Sequence, residues 1–185
     1  MYSWKTHFVV LADYQHWANE TLFTCLDRLQ EEVIASDQGL FFTSIHHALD
    51  HLLLVGQVWH ARLLGLHREA NYRVIHHPDF RDLKQALRRE ARLLQGWLEA
   101  APDAQFQTNI HYVGGGGLQR DVWVRDALTH LFTRQAHHRG QISAVITRLG
   151  GPAAEMDFLR YRREMDKVLG KAGGPPGPID PVKAD

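Results

Sequence analysis

Apolar and small residues recur at Phe8, Leu11, Gln15, Ala18, Leu22, Cys25 and Leu29 in alternating steps of three and four, with Gln15 the one polar member. That spacing predicts a helix with a single inward seam, as in an antiparallel bundle. A second helix is predicted from about Gly39 to Leu64. Ile45, Leu49, Leu52, Gly56, Trp59 and Leu63 share one of its faces, and Leu54 and Val58 add a second apolar face. Asp79 is a good N-cap for a third helix, with Leu83, Leu87, Leu94 and Leu98 inward and an end before Pro102. The last long helix is predicted from about Asp121 to Leu149. Its seam reads Val124, Leu128, Leu131, Gln135, His138, Ile142, Val145 and Leu149. A shorter helix, Ala153 to Val168, follows the Gly150-Gly151-Pro152 break. The pattern predicts an all-α, up-down four-helix bundle with short connections and an extra C-terminal helix.

Two stretches break the helical pattern. Gly114 to Gly117 are four consecutive glycines, and each costs a helix about 1 kcal/mol relative to alanine. They predict a loop or the tip of a short hairpin before the last long helix. The Lys-Ser/Thr ending and the helix that a phosphate-binding loop needs are missing, which argues against nucleotide binding. Gly170 to Asp185 hold four Gly and four Pro in sixteen residues, a composition that cannot build a packed element. The expected organisation is therefore a bundle over 1–169 and a Gly/Pro-rich tail over 170–185.

Composition narrows the function class. The 185 residues carry 21 Lys+Arg against 21 Asp+Glu, a balance that argues against nucleic acid as partner, because phosphate binding needs an unbalanced basic surface. One cysteine, Cys25, cannot form an internal disulfide, and its seam position predicts a packed small apolar residue rather than a nucleophile. No apolar run approaches the ~20 residues of a membrane helix, and the start of the chain lacks the pattern of a signal peptide, so a cytoplasmic location is expected. The unusual feature is 13 histidines.

Most of these have no informative spacing: His7, His16, His60, His67 and His111 stand alone, and His76-His77-Pro78 reads as a loop. His130 and His137 share a face, yet about 10.5 Å separates them along the axis, too far for one ion. Gln135 and His138 differ, because they occupy seam positions. An unsatisfied polar group there costs about 1–3 kcal/mol, so each needs a partner: another side chain, a water or a metal. His47 and His51, four residues apart, stack on one helix face about 6 Å apart along the axis. A satisfied core histidine is one reading of His138. Joined to His47 and His51 from a facing helix, it makes a three-nitrogen site of a kind that suits Zn, Ni or Fe and leaves positions open for water or substrate. Asp50 lies about 100° around the helix from His51 and is not an obvious further ligand. A di-iron carboxylate bundle would need Glu-x-x-His motifs, and the chain has none.

Three strings carry a resemblance: Tyr14-Gln15-His16-Trp17-Ala18-Asn19, Ser44-Ile45-His46-His47-Ala48-Leu49-Asp50-His51-Leu52-Leu53, and His130-Leu131-Phe132-Thr133-Arg134-Gln135-Ala136-His137-His138-Arg139-Gly140-Gln141-Ile142. In order and spacing, over roughly residues 4 to 165, the chain resembles the DinB/YfiT-like, damage-inducible-type four-helix bundles. The resemblance implies a divalent metal held by three side chains. One falls on His51. The other two form an i, i+4 pair on the last helix, with its C-terminal member on His138 and its N-terminal member on Arg134. Arginine offers a metal no lone pair. Three readings follow: Arg134 stands in for the cation in a dead site, His47 replaces the lost ligand in a rebuilt one, or the register shifts and His130 or His137 serves. The resemblance further implies a metal-dependent enzyme, in which a Lewis-acidic metal activates a bound thiol or water, as in thiol-dependent transferases and a thiol-using isomerase. A small-molecule substrate, a low-molecular-weight thiol among the candidates, would be lined by Tyr14, Gln15 and Gln135, with Arg134 or Arg139 holding a carboxylate. A homodimer with neither nucleic acid nor membrane as partner is expected. The alternative is a non-catalytic, stress-associated bundle whose metal site is degenerate.

Overall fold

Helix α1 (Trp4–Leu26) begins where the Ser3 hydroxyl accepts the Thr6 amide at 3.2 Å, an N-cap that satisfies one of the first-turn donors. The computed structural model describes residues 3–170, so the tail expected over 170–185 lies, apart from Gly170, outside the described residues. The chain divides into two units, Met1–Glu155 and Met156–Asp185.

The first unit is mainly helical. After α1 comes a five-residue helix, α2 (Glu31–Ala35), which the apolar spacing does not announce. Helix α3 (Ile45–Leu63) starts six residues later than the pattern suggests. Its delay has a local cause: Gly39 and Thr43 both have positive φ, Leu40 and Thr43 pair in an isolated bridge, and only then does Ser44 cap the helix by accepting the His47 amide at 3.0 Å. Helix α4 (Phe80–Ala100) begins at the expected cap, where Asp79 Oδ1 accepts the Asp82 amide at 2.8 Å. A 3-10 turn over Asp103–Gln107 leads to strands β1 (Asn109–Val113) and β2 (Gln119–Trp123), paired antiparallel with Ile110 opposite Val122. The glycine run forms the hairpin tip, where Gly116 and Gly117 adopt φ of 75° and 76°. Helix α5 (Val124–Arg148) follows directly. It starts at Val124 rather than near Asp121 because residues 119–123 are spent on the strand.

Helix α1 packs against α4 and α5, and α3 packs against the same two. The four long helices therefore enclose a shared interior. At the hairpin level that interior is apolar. Phe8 stacks on Phe106 at 5.9 Å and on Phe132 at 6.1 Å, within a cluster that includes Trp59, Leu94, Leu98, Ile110, Leu128 and Leu131. A second level is polar yet equally buried: Gln15 and Asn19 from α1, Asp50 and His51 from α3, and Gln135, His138 and Arg139 from α5. Cys25 is buried and free, in keeping with its seam position. Among the described residues no helix is long and apolar enough to cross a membrane.

The second unit contains helix α6 (Phe158–Val168). It starts later than Ala153, because residues 151–157 are not helical. Arg160 and Glu164 pair across one of its turns at 3.0 Å.

Candidate functional site

The start of α3 sets one side of the site. With Ser44 fixing the helix origin, His47 falls in the first turn and His51 one turn further, on the same face. Facing them, α5 carries Arg134 and His138, again one turn apart. The short loop before α3 supplies a member the spacing did not predict. Phe42 is buried, its ring stacked on His51 at 3.9 Å and tilted against His47 at 5.5 Å and His138 at 5.8 Å. Thr43, at φ 61°, makes the tight reversal that precedes α3. His51 and His138 rings meet at 5.0 Å, nearly perpendicular, and Tyr72 approaches His51 at 5.2 Å.

The polar atoms of this cluster are unevenly satisfied. His138 Nδ1–H donates to Gln141 Oε1 at 3.0 Å, so its lone pair lies on Nε2, which is buried and has no partner. Arg134 Nη2 donates to His51 Nε2 at 3.4 Å, so the His51 lone pair points at a guanidinium and its Nδ1 is the buried, unpartnered atom. His47 Nε2 is likewise buried without a partner. Burial, followed by the neighbouring His138, Arg134 and His47, pushes the His51 pKa down to about 3. Burial also lowers that of His138, with Arg134 adding to the effect and the Gln141 bond opposing it. Both rings are thus held neutral near pH 7, the protonation state a metal ligand requires.

By residue type, three imidazoles suit a divalent cation, and Nε2 of His47 and of His138 are buried without a partner. As placed, they are not a cage: among the described residues no three His, Cys, Asp or Glu side chains stand together closely enough to hold a metal ion. At His51, moreover, Nε2 faces Arg134. Arg134 is itself exposed, and 3.4 Å is a long hydrogen bond, so little holds it there.

The other residues singled out from the sequence lie elsewhere. Gln135 is buried and its Nε2 donates to Leu52 O at 3.0 Å, joining α5 to α3. Arg139 is 2% exposed, and its Nη1 donates to Asn19 Oδ1 at 3.2 Å while the guanidinium lies 5.8 Å from the Tyr14 ring centroid. Tyr14, Asn19 and Arg139 thus join α1 to α5. Gln15 is buried with Oε1 unpartnered, and it lines only a very small interior void with Gln135. His137 is exposed, its ring 5.2 Å from that of His138, and His130 packs on Trp59 at 5.1 Å.

Several histidines that spacing left alone do have partners. His60 Nδ1 pairs with Glu90 Oε1 at 2.9 Å, and His111 with Asp121 across the hairpin. Asp50 has a role the sequence reading missed. Its carboxylate accepts the His76 amide at 2.8 Å, the His77 amide at 3.0 Å and His77 Nδ1–H at 2.9 Å. His46 Nε2–H adds a bond to the His77 carbonyl at 2.6 Å. The His76-His77 segment is therefore pinned to α3 rather than a free surface loop, and His76 Nε2–H donates to the Asn71 carbonyl, next to Tyr72, at 2.9 Å. Phe42, Tyr72 and Gln141 are the other residues missed. Gln141 was legible in principle, one turn from His138, whereas Phe42 and Tyr72 sit in irregular segments outside any periodicity.

Comparison with known proteins gives one match. The family model described as DinB family matches residues 1–168. No curated protein and no solved structure matches the chain. With nearly its whole length covered by that match, the chain belongs to the DinB family.

Proposed function

We propose that this DinB-family protein is a divalent-metal-dependent enzyme acting on a small molecule, with a rebuilt metal site whose holding residues are His47, His51 and His138. The observation that carries the reading is the cluster of three buried ring nitrogens, one from each histidine, that have no hydrogen-bond partner. Leaving such groups unpaired costs about 1–3 kcal/mol each; a bound cation would account for Nε2 of His47 and of His138, with His51 joining through the Nε2 that Arg134 now faces. Imidazole nitrogens suit Zn, Ni or Fe. When bound, such an ion supplies a Lewis acid that lowers the pKa of a water or a low-molecular-weight thiol.

The rest of the machinery belongs to the chain. Gln141 holds the His138 ring in the tautomer that leaves Nε2 bare, the usual job of an outer partner. Phe42 and Tyr72 wall the histidines and keep water from their ring faces. Arg134 plays two parts. It rests on His51 while the histidines are free, and, once displaced, it presents a planar fork of donors to a substrate carboxylate.

A second reading is favoured by the same Arg134 contact. In it the guanidinium stays as the resident cation and the protein is a non-catalytic member of the family. Metal titration of untagged protein at neutral pH, read by elemental analysis, separates the two. The enzyme reading expects about one equivalent bound by the native protein, loss of at least tenfold in affinity in His51→Ala and His138→Ala, and no loss in His137→Ala. It also expects Arg134→Ala to bind more tightly, because the competing guanidinium is gone. If the native protein holds less than about 0.1 equivalents while Arg134→His holds one, the second reading stands.

A further inference from the structure

The hairpin tip and the segment joining α3 to α4 border an open cavity of about 530 Å³ lined by Val58, Arg62, Arg68, Tyr72, His76 and Val113 among others. Its volume is that of a small-molecule pocket, about 300–1,000 Å³. The segment that forms its outer wall is held in place: Asp50 accepts both the His76 and His77 amides.

Arg62 is the central group. Its guanidinium carbon lies 4.5 Å from the Trp59 ring centroid and 3.9 Å from that of Tyr112, so the cation sits over both rings. Burial pushes its pKa down, yet a guanidinium remains charged at neutral pH. Among the described residues the Arg62 guanidinium takes part in no ion pair and no side-chain hydrogen bond. A half-buried cation without a counter-charge is costly unless something supplies one. Arg68 lines the same cavity, one of its nitrogens donating to Gln57 Oε1 at 2.6 Å, which steadies the side chain and leaves other donors of its fork free. Glu69 is the one carboxylate on the lining, against two guanidiniums. The rest of the lining mixes Val58, Tyr72 and Val113 with the polar His67, Asn71 and His76, and Tyr72 and Val113 are substantially exposed at 39% and 50%.

We propose that this cavity binds a small carboxylic acid with an apolar or aromatic body, its carboxylate on the edges of the Arg62 and Arg68 guanidiniums and its body against Val58, Tyr72 and Val113. The planar fork of N–H donors on a guanidinium matches the two oxygens of a planar carboxylate. Tyr72 is shared with the histidine site, where its ring lies 5.2 Å from His51. Along the facing helix, His130 lies close enough to both Arg134 and Arg62 for each to depress its pKa, after burial itself. The carboxylate cavity and the histidine cluster are therefore neighbours. The proposal stands whether or not those histidines hold a metal, because it uses none of them.

The test is calorimetric titration of the metal-free protein with 4-phenylbutyrate, with its neutral amide and inorganic phosphate as parallel probes. Saturable binding of the carboxylate is expected, with at least about tenfold weaker binding of the amide and of phosphate. Arg62→Gln is expected to lose about tenfold or more in affinity, and Arg62→Lys several-fold, since lysine keeps the charge and loses the fork. Arg68→Gln, at an exposed position, tests the second guanidinium in a fold that the change leaves alone. Arg92→Gln, which removes an exposed guanidinium outside the lining, is expected to bind as the native protein does and controls for net charge. Equal binding of acid and amide, preference for phosphate, native affinity in both Arg62 variants, or no saturable binding would each overturn the proposal.

Discussion

Two levels of the helical unit are equally buried and differ in whether their chemistry is finished. At the hairpin level, Phe8, Phe106, Phe132, Trp59 and their aliphatic neighbours are closed to water, and nothing in that cluster asks for a further partner. At the polar level, side chains at the same helical spacing leave His47 Nε2, His51 Nδ1, His138 Nε2 and Gln15 Oε1 buried and unbonded. The same seam that gives stability at one level gives unspent hydrogen-bonding capacity at the other. The difference lies in a few seam positions: leucine at 128 and 131, but glutamine at 135 and histidine at 138. A seam position that carries a polar side chain gives up stability, and that loss is what a binding site there would explain.

The comparison breaks most visibly at the apolar level. Phe8 is fully buried and stacked on two other phenylalanines. Phe8→Ala removes that packing and leaves a cavity, and should destabilise the protein by about 3–5 kcal/mol. Urea unfolding, with the slope compared between variants, measures it. A loss below about 1 kcal/mol would mean the cluster rearranges and is not the tight core described here.

The polar level answers instead to pH. Folding holds His51 neutral, its pKa pushed down to about 3, while the unfolded chain titrates at 6.5. The unfolded state therefore takes up the proton first as pH falls. The contribution is fully present above pH 6.5 and is lost progressively as pH drops from there toward 3. His138, shifted in the same direction, adds to the trend. Denaturant midpoints measured with chelator present should fall across this window. His51→Leu should flatten the profile, and Phe8→Ala should shift it downward without changing its shape.

How far each level could be read in advance follows from the range of the interactions. The seam of α1, the Asp79 cap of α4 and the glycine hairpin are local, and all three are found where the spacing placed them, within a few residues. The start of α3 was misplaced because Leu40, Phe41 and Phe42 prolong the apolar pattern. The backbone there obeys Gly39 and Thr43 instead, and that loop is what delivers Phe42 to the histidines. Helical spacing likewise brought His51 and His138 together across two helices, since a seam fixes which side chains face inward. It could not show that Arg134 takes the His51 lone pair, or that His60 meets Glu90 and Asp50 holds His77. Those partners lie 27 to 83 residues apart in the chain. Only the packed helices bring them within reach.

The smallest expected effect on stability is the most telling about the polar level. His138 is buried at 6% exposure with one ring nitrogen bonded to Gln141 and the other to nothing. His138→Leu puts an aliphatic side chain of similar size on the same seam, next to Ile142 and Leu131, and removes the unpaired atom. The lost Gln141 bond, worth about 1 kcal/mol, is offset by the desolvation penalty no longer incurred, about 1–3 kcal/mol. Stability at neutral pH should therefore stay the same or rise by up to about 2 kcal/mol, while metal uptake disappears. A core histidine with a purely structural role would give the opposite pair of results, a clear loss of stability and no change in metal content. Measured on one variant, by unfolding and by elemental analysis, the two readouts distinguish a residue kept for packing from one kept for a ligand.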